Sequence, residues 1–331
     1  MKLAISCGDV NGIGLESLIK ALLNNYFKDI TFYLFCNIST LKSYINQLEI
    51  IKNLIEISDN SLIINNNLIK IISFGNEFPI QFGKTTLEAG LHAIQSIELA
   101  TKKVISKDYD AILTLPISKE SCRLAGLEFN GHTEFIASMC HVKEPLMILF
   151  YNNLRVALQT IHEPLKNVPN LIERNKIIEK LEIFYKSLSL DFAVVPKIAV
   201  LGLNPHSGEN GLIGNEEILE IIPAINDLSN KGYDINGPFP ADGFFASQSY
   251  KNYSGIFAMY HDQGLIPLKL YSKGEAVNFT AGLPIIRTSP DHGTAFDIAG
   301  LGIARYESTL NSIIAAKEIF LNRLNYESNR K

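Results

Sequence analysis

Three histidines, His162, His206 and His261, each follow an apolar, strand-like run by one to a few residues. Neutral imidazole binds zinc and similar divalent ions through a ring nitrogen. Three such ligands with coordination positions left open describe a catalytic metal site whose shell a substrate completes. The spacings, 44 residues (162 to 206) and 55 residues (206 to 261), match no metal motif. On spacing alone, three separate loop histidines satisfied by backbone carbonyls are the simpler reading. His92, inside a helical pattern, and His141, just past Cys140, are expected to be ordinary.

Other polar clusters also punctuate strand ends: GDVNGIG (8–14), NGHTEF (130–135), TIHEP (160–164), NPHSGENG (204–211) and YHDQG (260–264). The glycines at 8, 12 and 14 miss the GxGxxG dinucleotide spacing, so the first cluster reads as a strand-to-helix turn with Asp9 as a local cap. RTSPDHGTAFDIAG (287–300) is different. Small residues at 293–295 let a backbone approach a flat ligand, and Asp291, His292 and Asp297 supply polar groups. The same residues also suit a helix start capped by Asp291 or Thr294.

The elements that must position these groups alternate in period. KLAISC (2–7), ITFYLFC (30–36), AILTL (111–115), KIAVLGL (197–203) and FAMY (257–260) read as strands. GLESLIKALL (14–23), STLKSYINQL (39–48), residues 171–188, 216–230 and 308–324 read as helices. Leu87, Leu91, Ile94, Ile97 and Val104 mark a further long amphipathic helix. LMILFY and LRVAL flank Asn152-Asn153, a hairpin turn, and the Asn-rich stretch 59–67 reads as a turn between short strands. Strands alternating with helices argue for an α/β sandwich with a largely parallel sheet, whose ligands collect where strands end.

Composition narrows the function classes. At 331 residues, with 47% hydrophobic and 19% charged residues, the chain is globular and long enough for one large or two ordinary domains. A net charge of −4 offers no broad basic field, so neither nucleic acid nor an acidic membrane is an expected partner. Cys7, Cys36, Cys122 and Cys140 are far apart with no CxxC pair, which predicts reduced, mostly buried thiols in a cytoplasmic protein. No signal peptide and no apolar run of membrane-spanning length is expected.

Taken together, GDVNGIGLE, LPISKE, GHTEF, GLNPHSGENG, GPFPAD, YHDQGLIPLK and GLPIIRTSPDHGTAFDIAG resemble, in order, the sequence blocks of the 4-hydroxythreonine-4-phosphate dehydrogenase (PdxA) family. The last block is also similar to the HGSAPDIAG element of isocitrate and isopropylmalate dehydrogenases. The resemblance implies their fold, an α/β/α sandwich of two subdomains with a cleft between them. The expected division is 1–125 plus 285–331 as the cofactor side, and 126–284 as the metal, substrate and dimerisation side. It implies His162, His206 and His261 as ligands of one divalent metal (Zn, Mg, Mn or Co). It implies His132, Thr133, Lys269, Asn278 and Arg287 as substrate contacts, and Asp242 and Lys269 as the candidates for proton transfer. NAD, or NADP, is expected on Asp291, His292, Gly293, Thr294, Ala295 and Asp297, not on GDVNGIG. For Arg287 the bland alternative is a surface ion pair, and its contact with substrate would leave stability nearly independent of it.

The implied reaction is oxidation of 4-phosphooxy-L-threonine to 2-amino-3-oxo-4-phosphooxybutanoate, which decarboxylates to 3-amino-2-oxopropyl phosphate in pyridoxal phosphate synthesis. The implied assembly is a homodimer whose site takes residues from both subunits. The nearest alternative is a dehydrogenase of threonate or erythronate 4-phosphate. A metal-free phosphate acyltransferase of similar fold and a non-catalytic metal- or nucleotide-binding module are more distant ones. The chain departs from the family pattern at Val10, Asn11 and Leu15, where Pro, Ala and Pro are usual, and at Gly243, where Thr is common.

Overall fold

The computed structural model describes residues 1–48, 55–126 and 131–328, and the chain folds into two compact units. The first comprises Met1–Pro145 and Leu283–Phe320; the second comprises Leu146–Gly282 and the end of the last helix from Leu321. The division therefore falls at 145/146 and 282/283, and the described residues among 126–145 belong with the first unit.

The chain begins in the first unit with strand β1 (Lys2–Ser6), helix α1 (Gly14–Asn24), β2 (Thr31–Phe35) and α2 (Ile38–Gln47). It continues through β3 (Ile55–Ile57), β4 (Ser61–Ile64), β5 (Asn67–Ile72), α3 (Leu87–Ile105), β6 (Ala111–Thr114), α4 (Lys119–Leu124) and α5 (His132–Met139). The second unit carries β7 (Leu146–Tyr151), β8 (Leu154–Leu158), α6 (Arg174–Leu190), β9 (Ile198–Leu201), α7 (Ile222–Asn230), β10 (Ile235–Phe239) and α8 (Ala241–Ala246). It continues with β11 (Gly255–Ala258), α9 (His261–Ser272) and β12 (Val277–Ala281). The chain then returns to the first unit through β13 (Ile286–Pro290) and enters α10 (Glu307–Ser328).

In the first unit the strands run in the order β13-β6-β1-β2-β5-β4-β3. The first four pairings are parallel, and the β5-β4 and β4-β3 pairings are antiparallel. The central strands β1 and β6 are apolar and almost wholly buried, as a parallel sheet covered on both faces requires. Helix α3 starts where Thr86 accepts a hydrogen bond from the Ala89 N–H, and its Ile97, Ala100 and Val104 pack on Ala4, Phe35 and Ile112. The Asn-rich stretch 59–67, read as a turn, instead contains β4 and the start of β5, and only Asn65-Asn66, both left-handed, make the turn of the β4-β5 hairpin.

In the second unit the order is β10-β9-β11-β8-β7-β12. The pairings β10-β9, β9-β11 and β11-β8 are parallel; β8-β7 and β7-β12 are antiparallel. The expected Asn152-Asn153 hairpin joins β7 to β8, with Asn152 at φ 52°. Its core gathers Leu149, Val156, Leu158, Leu201, Phe244, Ile256 and Leu265. No helix among the described residues is long and apolar enough to cross a membrane.

Candidate active site

Strand order brings the three separated histidines to one edge. His162 follows β8, His206 follows β9 and His261 follows β11, and these three strands are parallel neighbours with β11 in the middle. All three side chains therefore leave from carboxyl ends of adjacent parallel strands, where open α/β sheets bind ligands. The strand ends are tied together. Thr160 Oγ1 donates to the Met259 carbonyl at 2.8 Å, and the Gln159 N–H donates to the Ala258 carbonyl at 2.8 Å. Gln263 accepts from the Met259 N–H at 2.7 Å and donates to the Gly202 carbonyl at 2.6 Å, joining the turn before His261 to the turn before His206.

His261 opens α9, and its Nδ1 donates to Asp262 Oδ1 at 2.7 Å, which leaves Nε2 with its lone pair available. A carboxylate holding the far nitrogen is the usual support of a metal-binding imidazole. The His162 and His261 rings lie 6.0 Å apart, centre to centre. His206 sits in a run of left-handed backbone, φ 52° at His206, 50° at Ser207, 76° at Gly208, 43° at Glu209 and 54° at Asn210. Four of these five carry a side chain, at a cost of roughly 1–2 kcal/mol each in this region. The donor set and the Asp262 support fit a divalent metal. No choice of one nitrogen from each of the three rings brings them all within 4.8 Å of one another; among the described residues only Cys7, Cys36 and His92 form so tight a group.

That group is a poor metal site on proton placement. His92 Nε2 accepts from the Asn37 N–H at 3.0 Å, so a neutral ring carries its proton on Nδ1, 3.4 Å from Cys7 Sγ. A metal on Nδ1 would drive that proton to Nε2, against the Asn37 N–H. His92 is instead a core residue between Phe74, stacked at 4.7 Å, and Phe78. The four cysteines are free thiols and three are buried.

Asp242 and Lys269 are exposed side chains on α8 and α9, and Asn278 is half-buried on β12. The Asn278 Oδ1 atom is buried with no hydrogen-bond partner among the described residues. Gly243, beside Asp242, faces open space, so the hydroxyl-bearing side chain usual there has room but meets nothing within 4 Å.

In the first unit, Arg287 is not a surface cation. It is fully buried as the second residue of β13. Its Nε and Nη2 donate to Thr114 Oγ1 at 3.0 and 2.8 Å, and its Nη1 donates to Thr133 Oγ1 at 3.3 Å. Burial pushes its pKa down to about 9, with Glu134 acting in the opposite sense. His132, at the start of α5, is held neutral: burial first, then the charges of Arg287 and Lys119, push its pKa well below the usual imidazole value. Its Nδ1 is buried without a partner among the described residues. A buried guanidinium beside an unpartnered ring nitrogen is an environment ready for an anionic, hydrogen-bonding ligand.

Residues 291–297 form an extended segment and turn, not a helix start; the next helix begins at Glu307. Gly293 faces open space, and Ala295 is left-handed at φ 42°. The GDVNGIG glycines are spent on packing. A Cβ at Gly12 would lie 2.8 Å from the Thr294 carbonyl oxygen, one at Gly8 2.3 Å from the Pro116 carbonyl oxygen, and one at Gly14 3.2 Å from Leu115 Cβ. Asp9 Oδ1 accepts from the Asn11 N–H at 2.9 Å, closing this turn; α1 itself has no side-chain cap. The departures at Val10, Asn11 and Leu15 are all buried, and Asn11 ties the turn to residues 81–86 through Gln81, Gly83, Lys84 and Thr86.

Residues 28–316 match the family described as pyridoxal phosphate biosynthetic protein PdxA. The chain belongs to the PdxA family. A 4-hydroxythreonine-4-phosphate dehydrogenase from Sulfurihydrogenibium sp. (strain YO3AOP1) is 40% identical over 325 residues, 98% of this chain and 99% of that protein. The crystal structure of a 4-hydroxythreonine-4-phosphate dehydrogenase from Klebsiella pneumoniae superposes with a TM-score of 0.82 at 34% identity, covering 96% of this chain and 99% of the other. A Salmonella typhi protein provisionally named D-threonate 4-phosphate dehydrogenase is 37% identical over 322 residues, 97% of this chain and 98% of its own. Two residues that brace the histidine-bearing turns escaped sequence reasoning: Gln263, which joins Met259 to Gly202, and Glu217, which accepts from the N–H and Nδ2 of Asn204. Gln263 was hidden inside the YHDQG block, and Glu217 shows only as the second of two acids opening an apolar helical run.

Proposed function

We propose that this chain oxidises 4-phosphooxy-L-threonine with NAD to 2-amino-3-oxo-4-phosphooxybutanoate, a β-keto acid that loses CO2 to give 3-amino-2-oxopropyl phosphate, within pyridoxal phosphate synthesis. The observation that carries this reading is the emergence of His162, His206 and His261 from three adjacent parallel strands in a PdxA-family chain. A divalent metal on these imidazoles would lower the pKa of the substrate alcohol and stabilise the forming ketone. NAD, with NADP as the alternative, would accept the hydride. The chain's own residues do the rest. Arg287, His132 and Thr133 bind and orient anionic and polar substrate groups, with Lys269 and Asn278 contributing to the same task. Asp242 and Lys269 are the two groups offered for the alcohol proton. Residues 291–297, with Asp291, His292, Gly293, Thr294, Ala295 and Asp297, receive the cofactor; the glycines of the first turn are already occupied by protein atoms. The protein works in the cytoplasm as a homodimer whose site draws on both subunits.

A second reading, oxidation of a phosphorylated four-carbon acid sugar, is favoured by the similarity to the Salmonella typhi relative. The two substrates differ in an amino or a hydroxyl group at C2. Steady-state assays of the purified protein with 4-phosphooxy-threonine and with threonate and erythronate 4-phosphates decide between them. Turnover is expected to vanish after chelator treatment and to return with added divalent metal. Full turnover in a metal-free sample would remove the histidines from the chemistry.

A further inference from the structure

His206 is presented by a backbone that does not hold itself. Residues of L chirality enter the left-handed region singly, not in runs, yet His206, Ser207, Gly208, Glu209 and Asn210 occupy it consecutively. Something outside the turn must fix it, and the contacts converge on one carboxylate. Glu217 is 1% exposed. Its Oε1 accepts the Asn204 N–H at 2.7 Å, and its Oε2 accepts from Asn204 Nδ2 at 2.9 Å. The second amide hydrogen of Asn204 goes to Glu216 Oε2 at 2.7 Å. The Asn204 carbonyl in turn accepts the Ser207 N–H at 3.1 Å, so the residue that follows His206 is bound to the frame of Asn204 and Glu217. Gly208 lies directly on the same carboxylate: a Cβ there would be 2.6 Å from Glu217 Oε2. Glu217 is also the first residue of a single π-helical turn, Glu217–Ile221, ahead of α7; such turns recur at functional sites because they re-aim a side chain.

We propose that Glu217 is a positioning residue for the metal: its buried carboxylate, through Asn204 and Gly208, sets the left-handed turn that aims the His206 imidazole. The inference rests on the reading of His206 as a metal ligand. Glu217 itself does not touch metal or substrate; it acts through the backbone that carries His206. Glu217→Gln keeps the shape, but presents an NH2 group to the donors of Asn204 and breaks the pairing.

The test is titration of the metal-free protein with cobalt(II), read from its visible ligand-field absorption and its Kd, for the wild type, Glu217→Gln, His206→Ala and Leu228→Ala. Leu228 is buried in α7, so its truncation destabilises the same helix without touching Asn204. Glu217→Gln is expected to weaken cobalt binding about tenfold to a hundredfold, as loss of an outer support of a ligand does, and to alter the absorption. Leu228→Ala should lower the thermal midpoint and leave both unchanged. Wild-type binding and absorption in Glu217→Gln would overturn the inference, as would an equal loss in Leu228→Ala. Undiminished binding in His206→Ala would instead remove the metal reading of His206, a distinguishable result.

Discussion

Arg287 shows what a single buried charge asks of its surroundings. Its Nε and Nη2 donate to Thr114 and its Nη1 to Thr133, and burial, the larger effect, pushes its pKa down to about 9 while Glu134 acts in the opposite sense. Arg287→Lys should cut kcat/KM about tenfold to a hundredfold, the loss of roughly 1.5–3 kcal/mol in charged hydrogen bonds. Stability should fall with it. Lysine lacks the fork by which separate nitrogens of Arg287 reach Thr114 and Thr133, and a buried hydroxyl left unpaired costs about 1–3 kcal/mol. This replaces the expectation from sequence that stability would barely change, because burial could not be read from a lone arginine between Ile286 and Thr288. Kinetics and thermal midpoints measured on one preparation check both; a drop in stability with unchanged kcat/KM would make the residue structural. The neighbouring His132 supplies a pH dependence. Its folded pKa lies below the usual imidazole value, so the unfolded chain takes up this proton first. The stability it contributes is whole above about pH 6.5 and is lost as pH falls below that, by at most about 1.4 kcal/mol per unit. His132→Gln does not titrate. Its thermal midpoint relative to wild type should therefore rise as pH falls from about 7.5 to 5.5; a constant difference would contradict a half-buried His132 held neutral.

Among the elements, the first turn and the 291–297 segment act as a pair. The Ile13 N–H donates to the Thr294 carbonyl at 3.0 Å, and Gly12 leaves no room for a side chain beneath it. Gly12→Ala should push Thr294 away, at a cost of about 1–3 kcal/mol of overpacking. If 291–297 receives the cofactor, KM for NAD should rise severalfold with little change in kcat at saturating NAD. Unchanged KM for NAD would separate that segment from the cofactor. Most elements were legible from period and composition: the apolar runs of β1, β2, β6 and β9 and the helical steps of α1, α2, α3, α6 and α10 fall where the sequence predicts them. Three strands were not. Strand β10 reads INGPF, β12 carries Asn278, and β13 carries Arg287, and each interrupts the apolar pattern for a reason local to its packing or its site. The histidines were visible as residues but not as a group, because only the β9-β11-β8 order puts their strands side by side. The left-handed run at 206–210 was equally hidden, since Ser207 and Glu209 within it are types that do not announce a positive φ.

At the scale of the whole molecule, one stretch of the second unit, residues 212–222, exposes several large apolar side chains. Leu212 and Leu219 are 82% and 64% exposed, and Ile213, Ile218 and Ile222 are exposed beside them in the sequence that runs from the His206 turn into α7. Isolated exposed apolar residues are ordinary, but a concentration of them next to a candidate active site marks a surface that association would cover. In the homodimer proposed here, a second copy of the chain covers this segment. Burying one leucine is worth about 1.5–3 kcal/mol, and a carboxylate in its place must be desolvated without a partner. Leu219→Glu is therefore expected to shift the protein from dimer to monomer in light scattering. Turnover should fall with the dimer if, as proposed, the site draws on both subunits, while thermal unfolding of the monomer stays cooperative. Val195→Glu, at a position 87% exposed on the same unit and at the end of β9 opposite the His206 turn, should change neither mass nor turnover. A Leu219→Glu protein that remains dimeric places the subunit contact on another face. A monomer with full turnover shows that one chain completes the site alone.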